Sequence, residues 1–267
     1  MNRLYLGCGV LLAAALGWAT WQALRPPARE PVYNGKSVSA WLNDLDPKTG
    51  KLSASAVDAL QHLATNAVPR LLKETRWSFP IKGIANHLLD KQSIVGFRFA
   101  RGPDHEVIAQ QGFRCLGTTG AMAVAQGLTN SDRWIRFGCV AQWELCKDYP
   151  DILFQPLFNC LRDPETRVRG RAANALGMLR QKPEQVVPVL TAMLSDPDVR
   201  SMAALGLGCY GDQAKSAFPV LLKMFNAPLD NETEEEVAYA LRRIDPAALL
   251  RIDPAAAAKA GIHVSSP

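Results

Sequence analysis

Apolar residues recur at helical spacing through most of the chain, and the clearest stretch lies between residues 163 and 222. There the spacing i, i+4, i+7, i+8 and i+11 places apolar side chains on one face of a helix. The residues at these positions are Val168, Ala172, Ala175, Leu176 and Leu179. A second apolar stripe runs from Val186 to Leu194. The pattern therefore predicts two amphipathic helices that pack against each other and against their neighbours.

The same unit occurs a second time, 31 residues further along the chain. The matching pairs are Val168-Arg169 with Val199-Arg200, Ala172-Ala173 with Ala203-Ala204, Leu176-Gly177 with Leu207-Gly208, and Pro188-Val189-Leu190 with Pro219-Val220-Leu221. A fixed period of this length is typical of stacked repeats. Because one helix pair cannot bury its own apolar faces, consecutive pairs must stack. The sequence thus predicts an all-α solenoid of five to six helix pairs.

Local signals predict where the helices of each unit begin. Asp163-Pro164-Glu165 has the composition of a helix start, with Asp163 as the N-cap and proline at the first helical position. Pro188 is expected in the first turn of the second helix, since proline supplies no backbone donor there. Ser37 is expected to cap a short helix that carries Trp41.

These residues resemble the HEAT repeat in its short, HEAT-like form. The resemblance rests on the Asp-Pro starts, Val-Arg, Ala-Ala-x-x-Leu-Gly and the Pro-x-Leu of the second helix, and it covers most of residues 37–260. The segment Tyr33-Asn34-Gly35-Lys36, followed by Trp41-Leu42, looks like the opening of membrane-anchored bacterial HEAT-like proteins. That resemblance implies an N-terminal cap on the array. The resemblance to HEAT repeats indicates the fold well but says little about function, because HEAT arrays have many different functions.

The chain ends and the linker complete the predicted organisation. Residues 1–24 contain an uncharged apolar run from Leu4 to Leu24, long enough to cross a bilayer. A cleaved signal peptide is the alternative, with a small-x-small site at Gly17-Trp18-Ala19; the run continues past that site, which favours an uncleaved anchor. Residues 25–36 are expected to form a proline-rich linker, residues 37–260 the solenoid, and residues 261–267 a frayed tail. We expect the solenoid on the periplasmic or extracytoplasmic side, although the flanking basic residues are nearly balanced.

Charge raises one alternative function. The formal net charge is +5, from 30 basic and 25 acidic residues, which is too small to indicate nucleic-acid binding by itself. Arg162, Arg167 and Arg171 could form a phosphate-binding ridge, as in HEAT-like alkylpurine DNA glycosylases. In the competing interpretation, Arg169 and Arg200 bridge neighbouring repeats and the other arginines are solvated. The second interpretation is favoured, so no nucleic-acid partner is expected.

The sequence contains no recognisable catalytic or ligand-binding motif. Its six cysteines include no C-x-x-C pair, and most fall on predicted core stripes, where a free cysteine packs as a small apolar residue. A bridge between Cys139 and Cys160 stays open if the domain is exported. None of the four histidines has metal-site spacing. We therefore predict no catalytic residue, no metal, no cofactor and no small-molecule ligand.

The function predicted from these observations is a non-catalytic scaffold that binds a protein partner at the membrane. The partner is expected in a groove lined by the second helices of the repeats. Thr191, Lys223 and Asn226 are the candidate binding residues, chosen as exposed positions on those helices. The alternative is a nucleic-acid-binding HEAT-like protein, with the arginine ridge as its site and a glycosylase-like activity.

Overall fold

The computed structural model describes residues 30–46, 49, 51–75 and 105–262. Within these ranges the chain is helical apart from one short hairpin, β1 (Val32–Tyr33) and β2 (Lys36–Ser37). The helices are α1 (Val38–Leu42), α2 (Ala54–Leu63), α3 (Val68–Thr75), α4 (His105–Cys115), α5 (Thr118–Gly127), α6 (Arg133–Val140), α7 (Leu145–Asp148), α8 (Pro150–Asn159), α9 (Thr166–Leu179), α10 (Pro183–Met193), α11 (Arg200–Tyr210), α12 (Phe218–Phe225), α13 (Asn231–Ile244), α14 (Pro246–Ile252) and α15 (Pro254–Lys259).

Several sequence predictions lie outside the described residues. They include the anchor or signal segment at 1–24, residues 25–29 of the linker, residues 76–104 of the solenoid and residues 263–267 of the tail. Among the helices that the structure describes, none is both long enough and apolar enough to span a membrane.

The N-terminal end of the solenoid is covered by the β1–β2 hairpin and α1. Asn34 and Gly35 turn the hairpin with φ angles of 48° and 76°, which suit an Asn-Gly turn. The indole nitrogen of Trp41 donates a hydrogen bond to the carbonyl of Tyr33 at 3.0 Å. Ser37 accepts from the backbone N–H of Ala40, so the predicted N-cap is confirmed. Residues 32–36, at the end of the segment predicted as a linker, form part of this cap.

Within the described ranges, six helix pairs form the stack: α2/α3, α4/α5, α6 with α7/α8, α9/α10, α11/α12 and α13/α14. One continuous apolar core joins them. Leu176 and Leu207, which occupy equivalent positions in the internal repeat, are both fully buried. The all-α repeat architecture predicted from the sequence is confirmed for the described residues.

Arginine–aspartate pairs connect consecutive repeats along one edge of the stack. Arg136 binds Asp163 through two hydrogen bonds of 2.7 and 2.9 Å. Arg169 binds Asp196 at 3.1 Å, and Arg200 binds Asp230 at 3.1 Å. The hydrogen bond and charge of Asp163 raise the pKa of Arg136 despite the opposing effect of burial. The structure thus confirms Arg169 and Arg200 as arginines that bridge neighbouring repeats.

Two predicted helix starts are wrong by a few residues. Asp163 lies before the helix, because its carboxylate binds Arg136 and the backbone N–H of Glu165; α9 begins only at Thr166. Pro188 lies inside α10 and not in its first turn, because Pro183 already occupies the start of that helix. The exposed position of Pro188 places its ring on the solvent side of the helix.

Candidate functional site

The second helices carry the residues that the sequence nominated for partner binding, and the structure places these residues in different surroundings. Lys223 on α12 is exposed. Thr191 on α10 is half-buried, and its hydroxyl donates to the carbonyl of Val187 at 2.7 Å. Asn226 is exposed, but its side-chain amide donates to Asp253 at 2.9 Å. Of the three nominated side chains, two are therefore held by contacts within the chain.

The candidate basic residues lie on and near α9, and two of them contact neighbouring side chains. Arg171 donates to Glu106 at 2.8 Å, and its guanidinium carbon lies 4.4 Å from the centre of the Phe137 ring. The guanidinium of Arg167 lies 5.5 Å from the ring centre of Trp134. Arg162 is exposed at the end of the preceding helical turn. Arg167 and Arg171 therefore belong to a mixed cluster that also contains carboxylates and aromatic rings.

A half-exposed aromatic cluster between α6 and α9 is a feature that the sequence analysis missed. Trp134 and Phe137 meet edge to face, with ring centres 6.4 Å apart. Arg133 lies 5.0 Å from the Trp134 ring and binds Glu165 at 3.1 Å. A shallow depression of about 240 Å³ is lined by Arg133, Trp134, Glu165 and Arg167. The signal was present as Arg-Trp followed by Phe three residues later, which places both rings on one helix face.

The first helices of consecutive repeats approach each other backbone to backbone, because glycine occupies the contact. A Cβ placed on Gly177 of α9 would lie 2.5 Å from Cα of Gly206 on α11. A Cβ on Gly208 would lie 2.7 Å from the ring of Tyr239 and 3.0 Å from Cα of Ala240 on α13. The second helices α10 and α12 contain no glycine and meet their neighbours through larger side chains. Consecutive repeats therefore lie closer together on the side of α9, α11 and α13 than on the side of the second helices.

A second depression, of about 390 Å³, lies at the C-terminal end of the stack between α12, α13 and α15. Lys259 reaches across it to Glu234 at 3.3 Å and covers the ring of Phe225 at 4.5 Å. Arg242 donates to the carbonyl of Ala260. These contacts attach α15 to the end of the stack.

The described cysteines lack the features of reactive thiols. Burial raises the pKa of Cys139 to about 12, that of Cys160 to about 12 and that of Cys146 to about 11. Because the thiolate is the nucleophile, a raised pKa makes a thiol less reactive. All five described cysteines are free in the structure, including Cys139 and Cys160. Across the described ranges, no three His, Cys, Asp or Glu side chains cluster as a metal site would require.

Comparisons with known proteins agree with the helical repeats. Residues 154–242 match the family model for HEAT repeats. Among solved structures, the chain is similar to a crystal structure of an engineered protein, at 17% identity and a TM-score of 0.44, covering 71% of this chain and 96% of that one. No curated protein matches the chain. From α8 to α13, the matched region coincides with the best-repeated part of the stack, and residues 154–242 are therefore similar to HEAT repeats in sequence and in helical organisation.

Proposed function

We propose that this chain is a non-catalytic scaffold whose HEAT-repeat solenoid binds a protein partner. The observation that carries the proposal is the HEAT-repeat match at residues 154–242, on an unbroken stack of helix pairs. HEAT repeats generally mediate protein–protein interaction, since stacking leaves long continuous surfaces on both sides of the array.

The proposal includes a membrane tether formed by residues 1–24 and a solenoid on the extracytoplasmic side. Its support is the apolar run from Leu4 to Leu24 and the short proline-containing segment that follows it. Protease added to intact spheroplasts should then digest residues 30–267. Full protection of the solenoid would place it in the cytoplasm and contradict this part of the proposal.

The partner-binding residues proposed from the sequence are Thr191, Lys223 and Asn226 on the second helices. Lys223 offers the most direct test of them, because it is exposed and lies in the last turn of α12. If the partner binds this face, Lys223→Glu should weaken its recovery from detergent-solubilised membranes.

Nucleic-acid binding is the outcome that would overturn the scaffold proposal. Binding driven by phosphate contacts weakens steeply as salt rises, because each neutralised phosphate releases counterions. The full chain should bind duplex DNA or RNA only weakly, lose that binding at physiological salt, and release no base from alkylated DNA. Tight binding at physiological salt that disappears when Arg162, Arg167 and Arg171 are changed together would support the glycosylase-like alternative.

A further inference from the structure

The internal repeat aligns four positions of each first helix into rows that cross α9, α11 and α13. Residues 167, 171, 174 and 178 of α9 share one helix face, and residues 198, 202, 205 and 209 are their counterparts 31 positions later. Aligning Ala204-x-x-Leu207 with Ala238-x-x-Leu241 adds residues 232, 236, 239 and 243 on α13. We call this surface the first-helix face.

The chemistry of the first-helix face changes in order across the three helices. On α9, the leading positions are Arg167 and Arg171, which lie beside the Trp134–Phe137 cluster. On α11, the last three of the four aligned positions are apolar and half-exposed; they are Met202, Leu205 and Cys209. On α13, the leading positions are Glu232 and Glu236. The face thus has an apolar floor from Met202 to Cys209 between a wall that begins with two arginines and a wall that begins with two glutamates; Asp198 precedes the floor, and Arg243 ends the row on α13.

Contacts in the structure confirm that the three strips lie side by side. A Cβ on Gly170, next to Arg171, would lie 3.4 Å from Cγ of Met202. On the other side, the ring of Tyr239 packs over Gly208, beside Cys209. The floor from Met202 to Cys209 is therefore continuous with both walls over about 10 Å, the rise of seven helical residues.

The close spacing of consecutive first helices places the first-helix face on the inner, concave side of the stack. Helix axes lie closer together where small residues meet than where Leu or Phe side chains meet. Since α9, α11 and α13 touch through Gly177, Gly206 and Gly208, this close approach would bend the stack toward them. The groove is then lined by first helices, whereas the sequence analysis placed it on the second helices. A concave floor of this length accepts one helix more readily than a flat protein surface.

We propose that the first-helix face binds an amphipathic helix of a partner protein, with its apolar stripe on Met202 and Leu205, acidic side chains toward α9 and basic side chains toward α13. This proposal rests on the scaffold function proposed above and specifies its partner. Charge complementarity selects the occupant: apolar burial supplies affinity, and the opposed walls set its orientation.

The acidic wall has independent signs of excess negative charge. Burial, together with repulsion from Glu232 and Glu235, raises the pKa of Glu236. Basic side chains on the partner would relieve that repulsion. On the opposite wall, Glu106 and Glu165 bind Arg171 and Arg133, so the positive charge is moderate and suits carboxylates better than a polyphosphate backbone.

The test uses the full 267-residue chain and three fluorescent helical peptides that share one leucine stripe. One peptide has Glu on one flank and Lys on the other, the second has Glu on both flanks, and the third has Lys on both. The mixed peptide should bind roughly tenfold more tightly than either uniform peptide, since in each of those one flank meets a like-charged wall. Duplex DNA should not displace it at physiological salt.

Charge reversal of each wall should change the preferred peptide. Arg171→Glu makes both walls acidic and should shift the preference to the Lys peptide; Arg167→Glu, at an exposed position, should act in the same direction. Glu236→Lys should shift the preference to the Glu peptide. Lys215→Glu, at an exposed position in the connection before α12, is the matched control and should leave the preferences unchanged. Circular dichroism should show that each variant remains folded.

Two outcomes would overturn this inference. One is the absence of binding by all three peptides; the other is a set of preferences unaffected by Arg171→Glu, Arg167→Glu and Glu236→Lys. If the partner itself binds and only Lys223→Glu weakens it, the scaffold function survives and the first-helix site is wrong. Displacement of the mixed peptide by duplex DNA would contradict the scaffold function as well.

Discussion

The backbone contact between α9 and α11 leads to a prediction about two glycines of the same helix. In Gly177→Ala, the new Cβ would lie 2.5 Å from Cα and 2.7 Å from the carbonyl oxygen of Gly206. Carbon atoms in favourable contact are about 3.5–4.0 Å apart, so the two helices must separate by roughly 1 Å. Neither obstructing atom belongs to a flexible side chain. Separation would also loosen the packing of Leu176, which is fully buried.

The magnitude follows from two opposing terms. Overpacking a well-packed core costs about 1–3 kcal/mol, whereas replacing a helical glycine by alanine stabilises the helix by about 1 kcal/mol. We expect Gly177→Ala to lower the free energy of unfolding by about 0–2 kcal/mol. Gly170→Ala is the matched control, because its Cβ would meet only the Met202 side chain, at 3.4 Å. This control should leave stability unchanged or raise it by about 0.5–1 kcal/mol.

Urea unfolding of both variants, followed by far-ultraviolet circular dichroism, measures the difference. The two variants should differ by about 2 kcal/mol in the order given, with similar m-values. If Gly177→Ala were as stable as Gly170→Ala, α9 and α11 would not pack backbone to backbone. Consecutive repeats would then not lie closer together on the side of the first helices.

Three further predictions concern the repeat edge, the cysteines and acid stability. Asp163→Ala should cost about 3 kcal/mol in urea unfolding, because Arg136, whose side chain is only 12% exposed, loses its carboxylate partner. The more exposed Asp196→Ala should cost about 1 kcal/mol, and equal costs would contradict this distinction. Cys139 and Cys160, whose pKa values burial raises to about 12, should resist a thiol reagent at pH 8 until the chain is unfolded, and rapid labelling of the native chain would refute their burial. The hydrogen bond from the backbone N–H of Thr233 lowers the pKa of Asp230 to about 2. Capping by the Asp230 carboxylate therefore stabilises α13 above the ordinary Asp pKa, and this stabilisation should be lost as the pH falls toward 2. Amide exchange in α13 should therefore accelerate over that range, but much less in Asp230→Asn, whose cap does not titrate; identical acceleration in both chains would argue against this role.

The sequence predicts the repeat architecture well because the fold is set by local patterns that recur. Each unit carries its own apolar stripes, and the Val-Arg pair at 168–169 recurs at 199–200. Helix starts are less predictable, since competing partners decide them. Asp163 has the right identity for an N-cap, but Arg136 from the preceding repeat binds its carboxylate. That contact joins residues 27 positions apart and is not visible in a local pattern.

The candidate site is less predictable for the same reason. Thr191 was nominated as exposed from helical spacing, yet it is half-buried and bonds to its own helix. The ordered charges of the first-helix face appear only when α9, α11 and α13 are placed side by side. Glu236 and Arg171 are 65 positions apart in the chain, and the register between their helices depends on glycine contacts.

The central claim, that the solenoid binds a protein, is tested most directly by site-specific photocrosslinking in living cells. A photoreactive amino acid would replace Met202 on the first-helix face, Lys223 on the second helices, or Lys215 in the connection before α12 as a control. The account predicts a discrete, protease-sensitive protein adduct from Met202 or Lys223, and none from Lys215. A nuclease-sensitive adduct, or no adduct from either face, would contradict it.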